Sequence, residues 1–218
     1  MQGLKISLLD LGFRDYGEVL KIQRSLVEQR KESKVSDTLI LVEHPDVITL
    51  GRRGTMENVI SKEFPIYLVE RGGDATYHGQ GQLVGYPIIS LEKAKIDVVT
   101  LVRKLEEVLI RTSSGFGIKA TRAEKKPGVW VKSKKLASIG IAVQHWVSFH
   151  GFALNINTDL NKFYTIKPCG MESSTMTSMQ KILGKKVSFD DVKKSVVENF
   201  KFVFEAEIEE SITLTSQL

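Results

Sequence analysis

Helical periodicity appears in only three windows of this chain, and they stand far apart. Apolar residues recur at three- and four-residue spacing through residues 14–32 (Tyr16, Val19, Leu20, Leu26, Val27), 97–113 (Val98, Leu101, Val102, Leu105, Val108, Leu109) and 189–204 (Val192, Val196, Phe200, Val203). Each stripe is wide enough to face a core. Between them lie short runs rich in β-branched and aromatic residues, at 4–9, 38–43, 47–50, 66–70, 83–91, 128–132, 135–143 and 146–157. Strands that outnumber helices without alternating with them argue against a regular βαβ winding. The expected fold is α/β of the α+β sandwich kind: a mixed, largely antiparallel sheet flanked by helices. His44-Pro45 splits two of the runs, and Pro45 drives His44 towards extended backbone, so those runs read as a kinked strand pair. Gln144-His145 falls where a tight hairpin turn is needed. Residues 158–178, with Pro168, Cys169 and Gly170, carry no period. A chain of 218 residues, 42 % hydrophobic and 26 % charged, can bury a core without staples. No linker, repeat or low-complexity tract divides it, so one domain over residues 1–218 is expected.

Cys169 is the only cysteine, which excludes an internal disulfide framework and a Cys-rich metal site. No two of the four histidines have zinc-ligand spacing, so no metal is expected. No run approaches the roughly 18 apolar residues of a membrane span, and the first residues lack the pattern of a signal peptide. The expected compartment is the cytoplasm, where a lone thiol stays reduced. The net charge of +5 is uneven. Residues 119–135 hold seven Lys or Arg against the single acid Glu124, while 205–210 hold four Glu and no base. The basic stretch suits an acidic protein, an anionic membrane or nucleic acid, and equally a solvated face. Aromatics do not interleave with it as in a base-stacking platform.

Three segments carry chemistry. Arg71-Gly72-Gly73-Asp74-Ala75-Thr76-Tyr77-His78-Gly79-Gln80-Gly81 places four glycines in eleven residues. Such a stretch is either a wide turn with bulge glycines or a loop whose backbone approaches a ligand closely. It fits neither the P-loop nor the dinucleotide-binding spacing. Lys135 opens an apolar strand with small residues at 137, 138 and 140; it is either an exposed turn lysine or one desolvated enough to act as a base. Cys169 is either a small buried hydrophobe or a reactive thiol, and its Pro168/Gly170 setting is that of a loop held by a scaffold.

Taken in order, these segments resemble the lipoyl(octanoyl) transferases. The family pattern RGGxxTxHGPGQ is matched by RGGDATYHGQGQ, and KPGVWV, KLASIG, SFHGFALNIN and KPCG follow in the family's order, with EHPDVITLGRR upstream. The resemblance covers residues 39–179, with one departure: Gln80 stands where the family has Pro. It implies a fold similar to the biotin/lipoate protein ligase catalytic domain. It also implies transfer of an octanoyl group from octanoyl-acyl carrier protein to a lysine of lipoyl domains. The acceptors would be those of 2-oxoacid dehydrogenase complexes and the glycine cleavage H protein, with no cofactor, nucleic acid or membrane involved. By the same resemblance Cys169 is the acyl-thioester nucleophile and Lys135 its proton-shuttling partner. Arg71, Gly72, Gly73, Asp74, Ala75, Thr76, Tyr77 and His78 would line the acyl pocket, with Ser138, Ile139, Gly140, Gly151, Phe152 and Ala153. His78 and His150 would belong to the pocket, His44 to a structural turn and His145 to an exposed hairpin. An acidic carrier would make residues 119–135 a docking face. The alternative is an ATP-dependent lipoate- or biotin-protein ligase of the same fold, which has no need of a nucleophilic Cys169.

Overall fold

Each long helix starts where a side chain captures an otherwise unpaired N–H. Asp15 accepts from the Glu18 amide at 3.1 Å, Asp97 from Thr100 at 2.7 Å and Ser188 from Asp191 at 3.3 Å, the usual satisfaction of a first helical turn. The computed structural model describes residues 4–124 and 126–210, with Cys169 and Glu210 described through their backbone alone. Along the chain the elements are β1 (Leu4–Phe13), α1 (Tyr16–Lys31), β2 (Asp37–Glu43), β3 (Val47–Leu50), β4 (Ile66–Leu68), β5 (Ala75–His78), β6 (Gln82–Ile88) and α2 (Leu91–Ala94). There follow α3 (Val98–Gly115), β7 (Thr121–Ala123), β8 (Lys126–Val131), β9 (Lys134–Gln144), β10 (Val147–Asn155), α4 (Met179–Leu183), α5 (Phe189–Phe204) and β11 (Ala206–Glu210).

Eight strands form one sheet in the order β11-β1-β2-β6-β10-β9-β8-β7, and β4-β3-β5 form a second. In the large sheet β1 runs parallel to both neighbours and all other pairs are antiparallel. The expected mixed, largely antiparallel sheet flanked by helices is the fold observed. Its two faces carry separate cores. Leu39 and Leu41 of β2 join Leu101, Leu105, Val192, Val196 and Phe200 of α3 and α5. Ile40 and Val42, one step out of phase, join Val19, Leu20 and Val27 of α1. A strand covered on both faces reads as a continuous apolar run rather than an alternating one, which is why 38–43 has no polar phase.

The runs on either side of Pro45 are not a kinked pair in one sheet. The chain leaves the large sheet at Glu43 and enters the small one at Val47, where β3 pairs with β5 and β4. His44 is more than a turn residue. It is fully buried, its Nδ1–H donates to the Arg14 carbonyl and its Nε2 accepts from the Tyr86 hydroxyl, both at 2.8 Å. The tautomer follows from the carbonyl, which can only accept. The expected hairpin closes through His145 and Trp146, both at positive φ (52° and 60°), the handedness that a two-residue turn between twisted strands requires. His145 is exposed there, as expected.

Candidate active site

A pocket opens over the middle of the large sheet, on the α1 side. Its floor is Val84 and Tyr86 of β6, His150, Gly151, Phe152 and Ala153 of β10, and Ser138, Ile139 and Gly140 of β9. Arg71, Gly72, Gly73, Thr76, His78, Tyr16 and Lys135 complete the walls. Missing side chains make the room. Gly140 pairs with Gly151 across the two strands. A Cβ on Gly140 would stand 3.0 Å from the Gly72 carbonyl and 3.1 Å from Arg71 Cδ. With none there, the 71–73 loop lies down on the sheet and the Gly72 N–H reaches the Ile141 carbonyl at 2.9 Å. Phe152 lies across Gly85, where a Cβ would come within 2.2 Å of its ring.

The glycine-rich segment is only partly a loop. Residues 75–78 form β5, and a strand sends alternate side chains to opposite faces. Thr76 and His78 therefore face the cavity, while Ala75 and Tyr77 enter the small core with Phe163 and Ile166. The Tyr77 hydroxyl donates to Asp46 at 2.6 Å. Asp74 braces the loop instead, accepting from the Asn58 side chain and the Ala75 amide at 2.6 Å each. Asp74, Ala75 and Tyr77 thus do not line the pocket, which corrects the expectation for these three. Tyr16, Val84 and Tyr86 line it too, though none of them was expected there. His150 is in the wall, as expected, and its backbone N–H donates to the buried Gln23 at 2.9 Å.

The cavity wall carries few charges. Burial pushes His78 down to about 3, helped by the nearby His44, and burial pushes His44 and His150 down to about 4. The three imidazoles are accordingly neutral at neutral pH. Burial also holds the Tyr16 and Tyr86 phenols well above their ordinary value. Arg71 and Lys135 are the ionic-type side chains that remain in the wall. Arg71 donates through Nη2 to the carbonyl and hydroxyl of Thr49, both at 2.8 Å.

Lys135 is the second residue of β9 and is buried. Its Nζ lies 5.4 Å from the centre of the Trp130 ring. Its stem passes Gly128, where a Cβ would stand 2.8 Å from Lys135 Cε. Cys169 sits in the 3-10 turn Pro168–Gly170, which packs against β5. The loop that holds this turn is tied to the start of β9: the Thr177 N–H donates to the Lys135 carbonyl at 2.9 Å and Lys134 Nζ to the Ser174 carbonyl at 2.8 Å.

The basic run 119–135 is not one face. Arg122 is spent on Glu106 and Glu107 (3.2 and 2.7 Å), Lys134 on the Ser174 carbonyl, and Lys135 is inside. Lys119, Lys126 and Lys132 stay exposed, and Lys125 lies outside the described residues. Among the described residues no three His, Cys, Asp or Glu are grouped to hold a metal ion, and no helix is long and apolar enough to cross a membrane.

Residues 15–201 match the family described as the lipoyl protein ligase A/B catalytic domain. The chain belongs to that family. An octanoyltransferase of Alkaliphilus metalliredigens (strain QYMF) is 43 % identical over 217 residues, covering 96 % of this chain and 100 % of that protein. Among solved structures, a lipoate-protein ligase A bound with ATP superposes with a TM-score of 0.75 at 16 % identity, over 98 % of this chain and 90 % of that one. The biotin protein ligase of Aquifex aeolicus gives 0.53 at 14 % identity, over 94 % and 70 %. The ligases share this family member's fold; the relatives close in sequence carry the transferase name.

Proposed function

We propose that the protein is an octanoyltransferase of lipoate biosynthesis. It moves an octanoyl group from octanoyl-acyl carrier protein through a Cys169 thioester onto a lysine of a lipoyl domain. The acceptors are the lipoyl domains of 2-oxoacid dehydrogenase complexes and the glycine cleavage H protein, and the setting is the cytoplasm. The observation that carries this reading is the junction of three things: a weakly charged cavity, a buried lysine in its wall, and the Cys169 loop bonded to that lysine's backbone.

Each step asks for one of these features. An octanoyl tail gains about 0.8 kcal/mol per buried methylene, which the uncharged floor of β6, β10 and β9 supplies. A free thiol, with a pKa of about 8.5, is mostly protonated at neutral pH, and a neighbouring ammonium favours the thiolate. The Cys169 thiolate attacks the carbonyl carbon of the carrier thioester. As the tetrahedral intermediate collapses, the carrier thiolate leaves and takes a proton from the Lys135 ammonium. The acceptor amine then attacks the Cys169 thioester and gives its proton to the now neutral Lys135. Departure of the thiolate restores both residues. One thioester replaces another in the first half, so no ATP is needed.

The test is transfer from octanoyl-acyl carrier protein to a purified apo-lipoyl domain without ATP, followed by mass. The octanoyl mass should appear on the lipoyl domain with wild type and be lost with Cys169→Ser and with Lys135→Met. A fully active Cys169→Ser variant, or an absolute need for ATP and free octanoate, would mean a ligase instead.

A further inference from the structure

A chain of side-chain amides runs beneath the cavity and ends on the Cys169 loop. Gln82 of β6 and Asn155 of β10 are opposite one another in the sheet, each 1 % exposed. Asn155 Nδ2 donates to the Thr177 carbonyl and Gln82 Nε2 to Asn155 Oδ1, both at 2.9 Å. Gln82 Nε2 also donates to the Tyr77 carbonyl at 3.2 Å, and its Oε1 accepts from His78 Nδ1 at 2.8 Å.

The direction of every bond is forced. Backbone carbonyls only accept, so the Thr177 carbonyl turns the NH₂ of Asn155 towards the loop and its oxygen towards Gln82. The Tyr77 carbonyl independently turns the NH₂ of Gln82 the matching way. The proton of His78 is thereby fixed on Nδ1. Two apolar side chains would fill the same space without any desolvation cost, whereas every polar atom of this amide pair has a partner and the chain runs one way.

What the chain holds is the loop's far end. Between β10 and α4 the backbone makes short 3-10 turns, Leu160–Thr165, Pro168–Gly170 and Ser173–Thr175, with isolated bridges from Ile166 to Val59 and from Met176 to Lys135; such short turns do not fix their own position as a long helix does. At Thr177 both backbone groups are captured: the carbonyl by Asn155, the N–H by the carbonyl of Lys135. We propose that Gln82 and Asn155 are positioning residues that hold the end of the Cys169 loop against Lys135 and so set the register of the two reacting groups. This rests on the reading of Cys169 and Lys135 as the acyl-transfer pair.

The experiment uses the fact that the chain has a single thiol, so alkylation by iodoacetamide reports Cys169 alone. Its rate is measured against pH for wild type, Lys135→Met, Asn155→Leu and the double variant Gln82→Leu/Asn155→Leu, alongside Tm and the rate of acylation by octanoyl-acyl carrier protein. Lys135→Met should raise the apparent thiol pKa by about one unit or more, the effect of losing a close opposite charge. Asn155→Leu should shift it the same way, and should slow acylation about tenfold, the size of one lost buried hydrogen bond, with KM for the carrier within about twofold. The double variant separates position from stability. Replacing both partners by apolar groups restores much of the stability, so Tm should recover while the thiol pKa and the acylation rate do not. Recovery of acylation together with Tm would make the amides merely structural and overturn the inference, as would an unshifted Asn155→Leu profile or unfolding of both leucine variants. An unshifted profile in Lys135→Met would instead overturn the pairing of Cys169 with Lys135.

Discussion

Gly128→Ala should disable the protein through Lys135 without touching any reacting atom. Gly128 has φ +127°, a conformation that a residue with a Cβ adopts only under strain, costing about 1–3 kcal/mol. The added Cβ would also stand 2.5 Å from the carbonyl oxygen of Ala137 and 2.8 Å from Lys135 Cε. The first of these is backbone of the neighbouring strand β9 and cannot yield; crowding of this kind costs about another 1–3 kcal/mol. Together they amount to about 2–6 kcal/mol, and at about 2–4 °C per kcal/mol for a chain of this size Tm should fall by about 4–24 °C. The lysine stem is the part that can move, so the ammonium leaves its place beside Trp130. Acyl transfer per folded molecule should then fall at least about tenfold, the loss of one charge-assisted interaction, while alkylation of Cys169 well above its pKa keeps its wild-type rate. Scanning fluorimetry gives the first number and the ATP-free transfer assay the second. A variant with wild-type Tm and wild-type transfer would refute the claim that the Lys135 stem fills the space beside Gly128.

Three further outcomes follow from the same geometry. Arg30 and Asp37 form an ion pair at 2.6 Å, with side chains 8 % and 1 % exposed, and Asp37 also accepts from the Ser90 N–H at 2.9 Å; Arg30→Met leaves that carboxylate buried without its cation and should cost about 3–5 kcal/mol in urea unfolding, whereas a change below about 1 kcal/mol would place the pair in solvent. His44 and His150, lowered to about 4, and His78, lowered to about 3, are held below the unfolded value of about 6.5. The stability they confer is therefore complete above that pH and lost as pH falls towards 4. Their ring NMR signals should stay fixed from pH 7.5 to 5.5, and a titration centred near 6.5 would contradict the burial described. Exposed Lys126 has its Nζ 5.9 Å from the centre of the Trp130 ring, the ring that Lys135 also approaches; Lys126→Glu should raise KM for the carrier with kcat unchanged, and an unmoved KM would leave it a solvated residue.

The sequence was most legible where a period was long. The third helix spans the residues its apolar spacing marks, and the first two differ only at their ends. It was least legible where pairing partners are distant. Residues 75–78 read as loop because glycines flank them on both sides, yet they pair with β3 nearly thirty residues earlier, and the lost alternation is what misplaced Asp74, Ala75 and Tyr77. Residues 206–210 read as part of an acidic tail because 205–210 hold four Glu; as an edge strand beside β1, β11 needs only Ala206 and Ile208 to turn inward. Motif residues 71–73, 76, 78, 138–140 and 151–153 do meet in one cavity. Tyr16 meets it too, but as an ordinary apolar position of α1 it carries no local sign of the role, while Val84 and Tyr86 come with β6, the strand that follows the glycine-rich motif. Gln82 lies inside the motif and Asn155 inside the SFHGFALN run, but a buried amide pair is visible only once two strands are set in register.

The central claim, a covalent acyl-enzyme, is tested most directly by the intact mass of the protein after mixing with octanoyl-acyl carrier protein in the absence of any acceptor. The account predicts a gain of one octanoyl group, mapped to Cys169, released by hydroxylamine, and discharged when an apo-lipoyl domain is added. An unmodified chain that nevertheless octanoylates the lipoyl domain would contradict it, because the acyl group would then pass directly from carrier to lysine.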